Sequence, residues 1–269
     1  MNINSLREQY LRSPGDVDKV VRETLSRVKD ADDGNVWIAR VPDEQVIAEA
    51  NRLASLDPAE LPLFGIPFAV KDNIDVAGMP TTAGCPEFAY TPDISSPVVE
   101  RLVAAGAILI GKTNLDQFAA GLVGTRSPHG ACRNAIDPAY VSGGSSSGSA
   151  VSVALGLVSF SLGTDTAGSG RVPAAFNNIV GLKPSRGLLS ARGVVPACRS
   201  LDCISIFANC AADAQTVLDV AAGFDEQDPY SRDVANVPAG ASITPQGARV
   251  GVPKSENLEF FGDEAAEKL

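Results

Sequence analysis

The spacing of apolar residues changes along the chain, and it predicts helices and strands in alternation. Apolar residues recur at helical spacing within residues 16–29, which predicts an amphipathic helix that packs on the domain, with Asp16 as its N-cap. Residues 64–70 are nearly all apolar and predict a buried strand that ends at Lys71.

A second helix and strand follow, with residues at their boundaries that are typical of helix ends. Ser96 is expected to cap the helix, with Pro97 in its first turn. Gly106 would end it, and residues 107–110 predict a short buried strand. The alternation continues with a predicted strand at 159–162, helix at 211–222 and strand at 250–252. This order of elements is typical of an α/β fold in which helices are layered on a sheet.

Composition and charge limit the kinds of partner that the chain is expected to bind. The chain has 269 residues, of which 45% are hydrophobic and 20% charged, close to an ordinary globular protein. Its formal net charge of −10 leaves no basic excess to neutralise phosphates. We therefore expect neither nucleic acid nor a membrane surface as a partner. An anionic substrate would need a local positive pocket.

No segment has the pattern of a targeting or membrane-spanning sequence. The N-terminus lacks the apolar stretch of a secretory signal. The longest nearly apolar run, residues 150–162, is shorter than the ~20 residues of a membrane-spanning helix. The 5 cysteines are odd in number and form no CxxC pair, which favours reduced thiols over disulfides or a metal site. These features predict a cytoplasmic protein without a metal.

The chain has a single histidine, which limits the mechanisms open to a hydrolase. His129 lies in a Ser-Pro-His-Gly context that is typical of a turn, so a surface or packing role is the expected one. A serine or cysteine hydrolase that depends on histidine would have to use this residue. If the chain is a hydrolase, we expect another base.

Two segments rich in glycine carry the candidate chemistry. Residues 142–149 are all Gly or Ser, which suits either a flexible linker or a loop of N–H donors leading into a helix. Further on, Gly168 and Gly170 flank Ser169, so the backbone there can turn sharply and approach a ligand. Taken alone, Ser169 could equally be a helix N-cap.

Three motifs in order resemble the amidase signature family. They are Lys71 within VKDNID, Ser145 within GGSS and Ser169 within GTDTAGS, at intervals of 74 and 24 residues. The segment NNIVGLKP at 177–184 continues the resemblance, which covers residues from about 60 to 225. Singly, Lys71 could be an exposed lysine at a strand end and Ser145 a turn serine. The resemblance implies an α/β/α layered fold around a mixed twisted sheet.

The resemblance also implies a catalytic triad of two serines and a lysine, with no cofactor. Ser169 would be the nucleophile, Ser145 the proton bridge and Lys71 the base, with a cis peptide bond before Ser145. A lysine with an ordinary pKa of about 10.4 is almost fully charged at pH 7, so it can act as a base only if burial lowers its pKa. We therefore predict that Lys71 is buried and hydrogen-bonded to Ser145.

Further residues of the site follow from the same resemblance. The backbone N–H groups of Thr166, Ala167 and Gly168, together with that of Ser169, would form the oxyanion hole. The positions implied to bind substrate are Gly121 and Ser146, although Gly121 could simply form a tight turn. For Asp165 and Arg171, a structural ion pair that fixes the nucleophile loop is expected rather than a catalytic role.

Within the family, several segments resemble the allophanate hydrolases most. These segments are residues 63–68, 111–118, 140–149, 167–171 and 201–205. The implied substrate is allophanate (urea-1-carboxylate), an anionic amide, which would be hydrolysed to ammonia and carbon dioxide. A homodimer is implied, and urea carboxylase is a candidate partner in the pathway, with cyanuric acid degradation as the other possible context. A different amidase, acting on aryl or aliphatic amides or on glutamine, or as part of a tRNA-dependent amidotransferase, remains the alternative.

The domain organisation follows the same comparison. Residues 1–55 predict a helical region that packs on an amidase signature core at 56–269. Residues 264–269 suggest a helix, whereas family members continue well beyond this point. We expect the core to be incomplete at its C-terminal end, completed by a further segment or a second chain, and an inactive fragment is the second alternative.

Overall fold

The computed structural model describes residues 2–31, 34–233, 247–249, 251–257 and 259. Two compact units are present, Met1–Val234 and Ala235–Leu269. In the first unit the helices are α1 (Ile3–Arg12), α2 (Asp16–Asp30), α3 (Asp43–Leu53), α4 (Pro97–Ala104), α5 (Ser147–Ala154), α6 (Arg171–Phe176) and α7 (Ala211–Ala221). The strands are β1 (Trp37–Arg40), β2 (Pro67–Lys71), β3 (Ile108–Thr113), β4 (Phe160–Thr164), β5 (Val180–Leu182) and β6 (Ile204–Ala208).

The six strands form one mixed sheet in the order β1-β3-β2-β4-β6-β5. The three central strands β3, β2 and β4 run parallel, and the other neighbours pair antiparallel. Helix α5 packs against β2, β3, β4 and β6, while α7 packs against β5 and β6. The α/β class and the mixed sheet with layered helices are therefore confirmed.

The core lies where the central strands meet. Phe68 of β2 and Phe160 of β4 are fully buried, and their rings stack with centroids 5.1 Å apart. The N-terminal helices join this core through Tyr10, whose ring contacts Phe64 and whose hydroxyl donates to the Gly65 carbonyl at 3.2 Å. Because this region and the sheet belong to the same compact unit, the proposed boundary between residues 55 and 56 stays a prediction.

The helices expected from the sequence are present, with small shifts at their ends. Helix α2 spans the predicted 16–29, but its N-cap is Gly15 rather than Asp16, whose carboxylate accepts hydrogen bonds from Gln9 and Ser13. Helices α4 and α7 match the predictions at 97 and 211. The Gly/Ser run at 142–149 leads directly into α5, so the linker interpretation is wrong.

The predicted strands differ from the observed ones mainly at their ends. Residues 64–66 turn before β2 begins, because Gly65 adopts a left-handed conformation with φ of +67° and donates to the Gly106 carbonyl. Strand β3 continues through Gly-Lys-Thr to Thr113, beyond the apolar run at 107–110. At 250–252, Gly251 and Val252 form no strand, and Val250 lies outside the described residues, as does the helix expected at 264–269.

Within the part of the chain that the structure describes, no helix is both long enough and apolar enough to cross a membrane.

The aromatic stack at the centre of the sheet gives a test of the fold. Phe160→Ala is expected to lower the free energy of unfolding by about 3–5 kcal/mol, because a fully buried ring leaves a cavity against Phe68. The matched control is Phe224, which is 49% exposed. Phe224→Ala should change the free energy of unfolding by less than about 0.5 kcal/mol. Urea unfolding measures both. Equal losses in the two variants would contradict this account of the core.

Candidate active site

The carboxyl ends of the parallel strands bring the candidate residues to one edge of the sheet. Lys71 is the last residue of β2, and it lies opposite Thr113 at the end of β3. On its other side β4 ends at Thr164, with Val70 paired to Leu162. In open α/β sheets this edge is where ligands and reactive groups collect.

The Lys71 amine is enclosed and contacts two hydroxyl groups. Its side chain has no exposed area, and Nζ lies 2.8 Å from Ser145 Oγ and 2.8 Å from Thr164 Oγ1. Asn73 donates to the same Thr164 oxygen at 3.2 Å. The predicted burial of Lys71 and its hydrogen bond to Ser145 are confirmed. Thr164 was not expected from the sequence, although it lies within the GTDTAGS motif.

Burial decides the electrostatics of Lys71. Loss of water lowers its pKa to about 7, although the carboxylates of Asp116, Asp165 and Asp202 act in the opposite direction. None of the ion pairs in the described chain includes Lys71. The amine is therefore held by neutral hydroxyls alone, an environment that disfavours its charged form.

Ser145 is held at the end of the Gly/Ser segment, just before α5. The peptide bond between Gly144 and Ser145 is cis, as the resemblance implied. The Ser145 side chain is fully buried, and its carbonyl accepts the Asp116 N–H at 3.0 Å. Among the described residues, Lys71 is the one hydrogen-bond partner of its hydroxyl. The Ser145 hydroxyl therefore has no acceptor for its proton other than Lys71 among these residues.

Ser169 lies in the loop between β4 and α6, and Asp165 organises this loop. The Asp165 carboxylate accepts the backbone N–H groups of Gly168, Gly170 and Arg171 at 2.7, 3.1 and 3.2 Å. The Arg171 guanidinium binds it with two further bonds, at 2.9 and 3.0 Å. Burial raises the pKa of Asp165, but these donors outweigh it and hold the pKa below its usual value. The predicted structural ion pair is present.

The Ser169 hydroxyl is nearly buried, at 5% exposure, and has no hydrogen-bond partner among the described residues. It does not bond to Ser145 here. Hydrogen bonds between catalytic groups are often long without substrate and tighten when substrate binds. The structure thus gives a direct Lys71–Ser145 link, and the step from Ser145 to Ser169 stays a prediction.

One of the N–H groups expected in the oxyanion hole already has a hydrogen-bond partner. The Gly168 N–H already donates to Asp165 Oδ1 at 2.7 Å, so it is not free to bind an oxyanion in this arrangement. The N–H groups of Thr166, Ala167 and Ser169 form no hydrogen bond with described residues. The oxyanion role of these three groups and of the Gly168 N–H stays a prediction.

The two residues expected to bind substrate, Ser146 and Gly121, both have close contacts within the fold. The Ser146 hydroxyl is fully buried, donates to the Thr164 carbonyl at 3.1 Å and accepts the Thr164 N–H at 3.3 Å. It ties α5 to β4, and a role of Ser146 in substrate binding stays a prediction. At Gly121, a Cβ atom would lie 2.6 Å from Asp116 Oδ2, so the glycine makes room for a buried carboxylate. Its role in substrate binding stays a prediction.

Asp202 is a second residue of the site that the sequence did not reveal. Its carboxylate accepts the hydroxyl proton of Thr166 and the backbone N–H groups of Ala197 and Cys198. It therefore joins the loop before β6 to the predicted oxyanion donors.

The lone histidine has no contact with these residues in the hydrogen bonds of the described chain. His129 lies in a turn, its N–H donates to Ser127 Oγ at 3.2 Å, and its ring forms no hydrogen bond with a described residue.

Comparison with known proteins identifies the family of this chain. The model of the amidase family matches residues 19–268. The urea amidolyase of Saccharomyces cerevisiae is 52% identical over 85% of this chain, which spans 12% of that protein. A glutamyl-tRNA(Gln) amidotransferase component of Methanosarcina acetivorans is 41% identical over 82% of the chain and 46% of its own length.

The solved structures lead to the same group. The allophanate hydrolase of Kluyveromyces lactis superposes with a TM-score of 0.81 at 50% identity, over 87% of this chain and 39% of that one. The chain thus spans less than half the length of these relatives. A family match over residues 19–268, supported by these identities, shows that the chain belongs to the amidase family.

Proposed function

We propose that this chain hydrolyses an amide through an acyl-enzyme, with Ser169 as nucleophile, Ser145 as proton bridge and Lys71 as base. The observation that carries the proposal is the contact of a fully buried Lys71 amine with the Ser145 hydroxyl at 2.8 Å. A buried lysine without a carboxylate partner is a rare and costly arrangement, and a proton acceptor is its natural use.

The proton transfers follow from the protonation state of Lys71. With a pKa of about 7, a large share of this amine is neutral at physiological pH. Neutral Lys71 takes the Ser145 proton while Ser145 takes the Ser169 proton, so that Ser169 Oγ can attack the amide carbon. The free N–H groups of Thr166, Ala167 and Ser169 would hold the developing oxyanion.

The second half of the reaction reverses these transfers. The proton returns from Lys71 through Ser145 to the leaving nitrogen, which departs as ammonia and leaves an acyl group on Ser169. Water then attacks this ester while Ser145 passes its proton to Lys71. The ester bond to Ser169 Oγ breaks, the acid product leaves, and the proton returns through Ser145 to Ser169. Because serine supplies the covalent step, the chemistry proposed here uses no cofactor.

We further propose allophanate as the substrate. The support is the 50% identity to the Kluyveromyces lactis allophanate hydrolase and the 52% identity to the yeast urea amidolyase. On this proposal the chain takes part in urea or cyanuric acid degradation in the cytoplasm, as a homodimer, and urea carboxylase supplies its substrate. Glutamine is the competing substrate, because the glutamyl-tRNA(Gln) amidotransferase component of Methanosarcina acetivorans is 41% identical.

Substitutions at the triad test the mechanism. Lys71→Ala is expected to lower kcat for ammonia release from allophanate by about 10²- to 10⁴-fold, the usual contribution of a general base. Ser169→Ala should fall at least as far, because it removes the nucleophile. The matched control is Lys29→Ala, an exposed lysine on α2, which should retain wild-type kcat. A folded Lys71→Ala protein with wild-type kcat would disprove the proposal.

The buried amine also predicts how stability depends on pH. Between pH 7 and the ordinary lysine pKa of about 10.4, the unfolded chain binds a proton at Lys71 that the folded chain does not, so stability rises with pH. Lys71 is expected to add about 2 kcal/mol to the unfolding free energy between pH 7 and pH 9. Urea unfolding of wild type and Lys71→Met at both values isolates this contribution, since other groups titrate equally. The same rise in both proteins would exclude a neutral Lys71.

Initial rates of ammonia release compare allophanate, malonamide and glutamine as substrates. The kcat/KM for allophanate is expected to exceed the values for malonamide and glutamine by at least about a hundredfold. A site that hydrogen-bonds a polar group of its substrate rejects analogues that lack this group, because the polar groups of the site are then left without a partner. Ser169→Ala measures the background in each assay. Turnover of glutamine without turnover of allophanate would contradict allophanate as the substrate but would leave the proposed triad unaffected.

A further inference from the structure

Asp116 lies three residues after β3, and its backbone contacts the bridging serine. Its N–H donates to the Ser145 carbonyl at 3.0 Å, and its side chain is completely buried. In the part of the chain that the structure describes, no lysine or arginine forms an ion pair with this carboxylate. A buried, uncompensated carboxylate is expensive unless backbone donors satisfy it, so its contacts show what it does.

The Asp116 carboxylate closes the loop that binds the residue before the bridging serine. Oδ2 accepts the Gly124 N–H at 3.0 Å, and Oδ1 accepts the Arg126 N–H at 2.8 Å. Within the same loop the Leu122 carbonyl accepts the Gly144 N–H at 2.8 Å. Asp116 therefore holds one side of the cis peptide directly and the other side through this loop.

Two glycines leave the carboxylate no room to move. A Cβ atom on Gly121 would lie 2.6 Å from Asp116 Oδ2, and one on Gly144 would overlap the same oxygen. The carboxylate thus fills the space between the two glycines and touches the Gly144 backbone. A shift of Asp116 would be passed to the peptide that presents the Ser145 hydroxyl.

We propose that Asp116 is a positioning residue that fixes the Gly144–Ser145 peptide and so keeps the Ser145 hydroxyl within hydrogen-bond distance of Lys71 Nζ. The inference rests on the proposed function. Asp116 acts through Ser145 and makes no contact with the reacting atoms. Its loss should slow proton transfer rather than weaken substrate binding, so kcat should fall while KM changes little.

The charge of Asp116 provides a second readout. Carboxylates from three loops act on Lys71, namely Asp116 after β3, Asp165 after β4 and Asp202 before β6, and Asp116 has the largest effect of the three. Asp165 shares its charge with Arg171, whereas Asp116 has no such partner in the described chain. Each raises the pKa of Lys71 against the larger effect of burial. Removing the Asp116 charge therefore lowers the pKa of Lys71, and the neutral base persists to lower pH.

The test follows covalent labelling of Ser169 by a fluorophosphonate probe across the pKa of Lys71, so it needs no assumption about the amide. Asp116→Asn keeps the size of the side chain but loses the charge and one acceptor. Its labelling rate is expected to fall by up to about a hundredfold, the cost of a displaced catalytic group. The midpoint of the rise in rate with pH should move to lower pH.

Asp213→Asn is the matched control. Asp213 is also a completely buried carboxylate without an ion-pair partner among the described residues, and it accepts the Ile3 N–H at 3.1 Å at the start of α7. Its substitution should leave the rate and the midpoint of Ser169 labelling unchanged. General destabilisation would lower the labelling rate in both variants, whereas the shift of the midpoint is expected in Asp116→Asn alone.

A second variant covers the case in which Asp116→Asn does not fold. Gly121→Ala pushes on the carboxylate without changing any charge, so it should slow labelling while the midpoint stays near that of wild type. Gly15→Ala is its control, because a Cβ atom there meets nothing within 4 Å. Wild-type rates in both Asp116→Asn and Gly121→Ala would overturn the inference, as would a midpoint that stays fixed in Asp116→Asn. Absence of labelling in wild type would reject the proposed function, and this inference with it.

Discussion

The hydrogen bond between the buried Lys71 amine and the Ser145 hydroxyl is the interaction on which the rest of the site depends. An amine without water keeps a proton poorly, and this one has hydroxyl oxygens as acceptors in place of a carboxylate. The sheet makes this possible, because β2 is buried along its whole length and delivers Lys71 directly to the edge where β4 ends. The fold therefore both excludes water from the Lys71 amine and aligns this amine with the Ser145 hydroxyl.

A second buried lysine shows how much the partner matters. Lys112 is as deeply buried as Lys71 and lies one strand away, but its Nζ is 3.1 Å from Asp72 Oδ1. Burial lowers the pKa of Lys112 as well, while the adjacent Asp72 carboxylate opposes this change. Asp72 directly follows Lys71 in the chain, so neighbouring residues give one lysine a charged partner and the other only hydroxyls. Both amines are buried, so the amine proposed as the base differs from the ion-paired one in its partner.

The sequence predicted the contact between Lys71 and Ser145 better than the contacts that surround it. Lys71 and Ser145 could be named from motifs, and the apolar run before Lys71 predicted its burial. Thr164 and Asp116 could not be named, because a threonine or aspartate after a strand has many possible roles and these partners lie far apart in the chain. The hydrogen bond from the Gly168 N–H to Asp165 could not be foreseen either, because nothing in the sequence indicates it. Long-range hydrogen bonds follow from the fold and leave little local signal.

The same limit explains why the Gly/Ser segment resembled a linker. Flexible linkers and tightly packed loops share a composition, since both use residues without large side chains. Here Gly148 of the segment and Gly163 of the adjacent strand β4 are closely surrounded by other atoms. A Cβ atom at Gly148 would lie 2.5 Å from the Val36 carbonyl, and one at Gly163 would lie 2.8 Å from Ser146 Oγ. Glycine lets α5 approach the ends of β3 and β4 closely enough for Ser145 to reach Lys71. The small residues of this segment are therefore a packing requirement of the contact between Ser145 and Lys71.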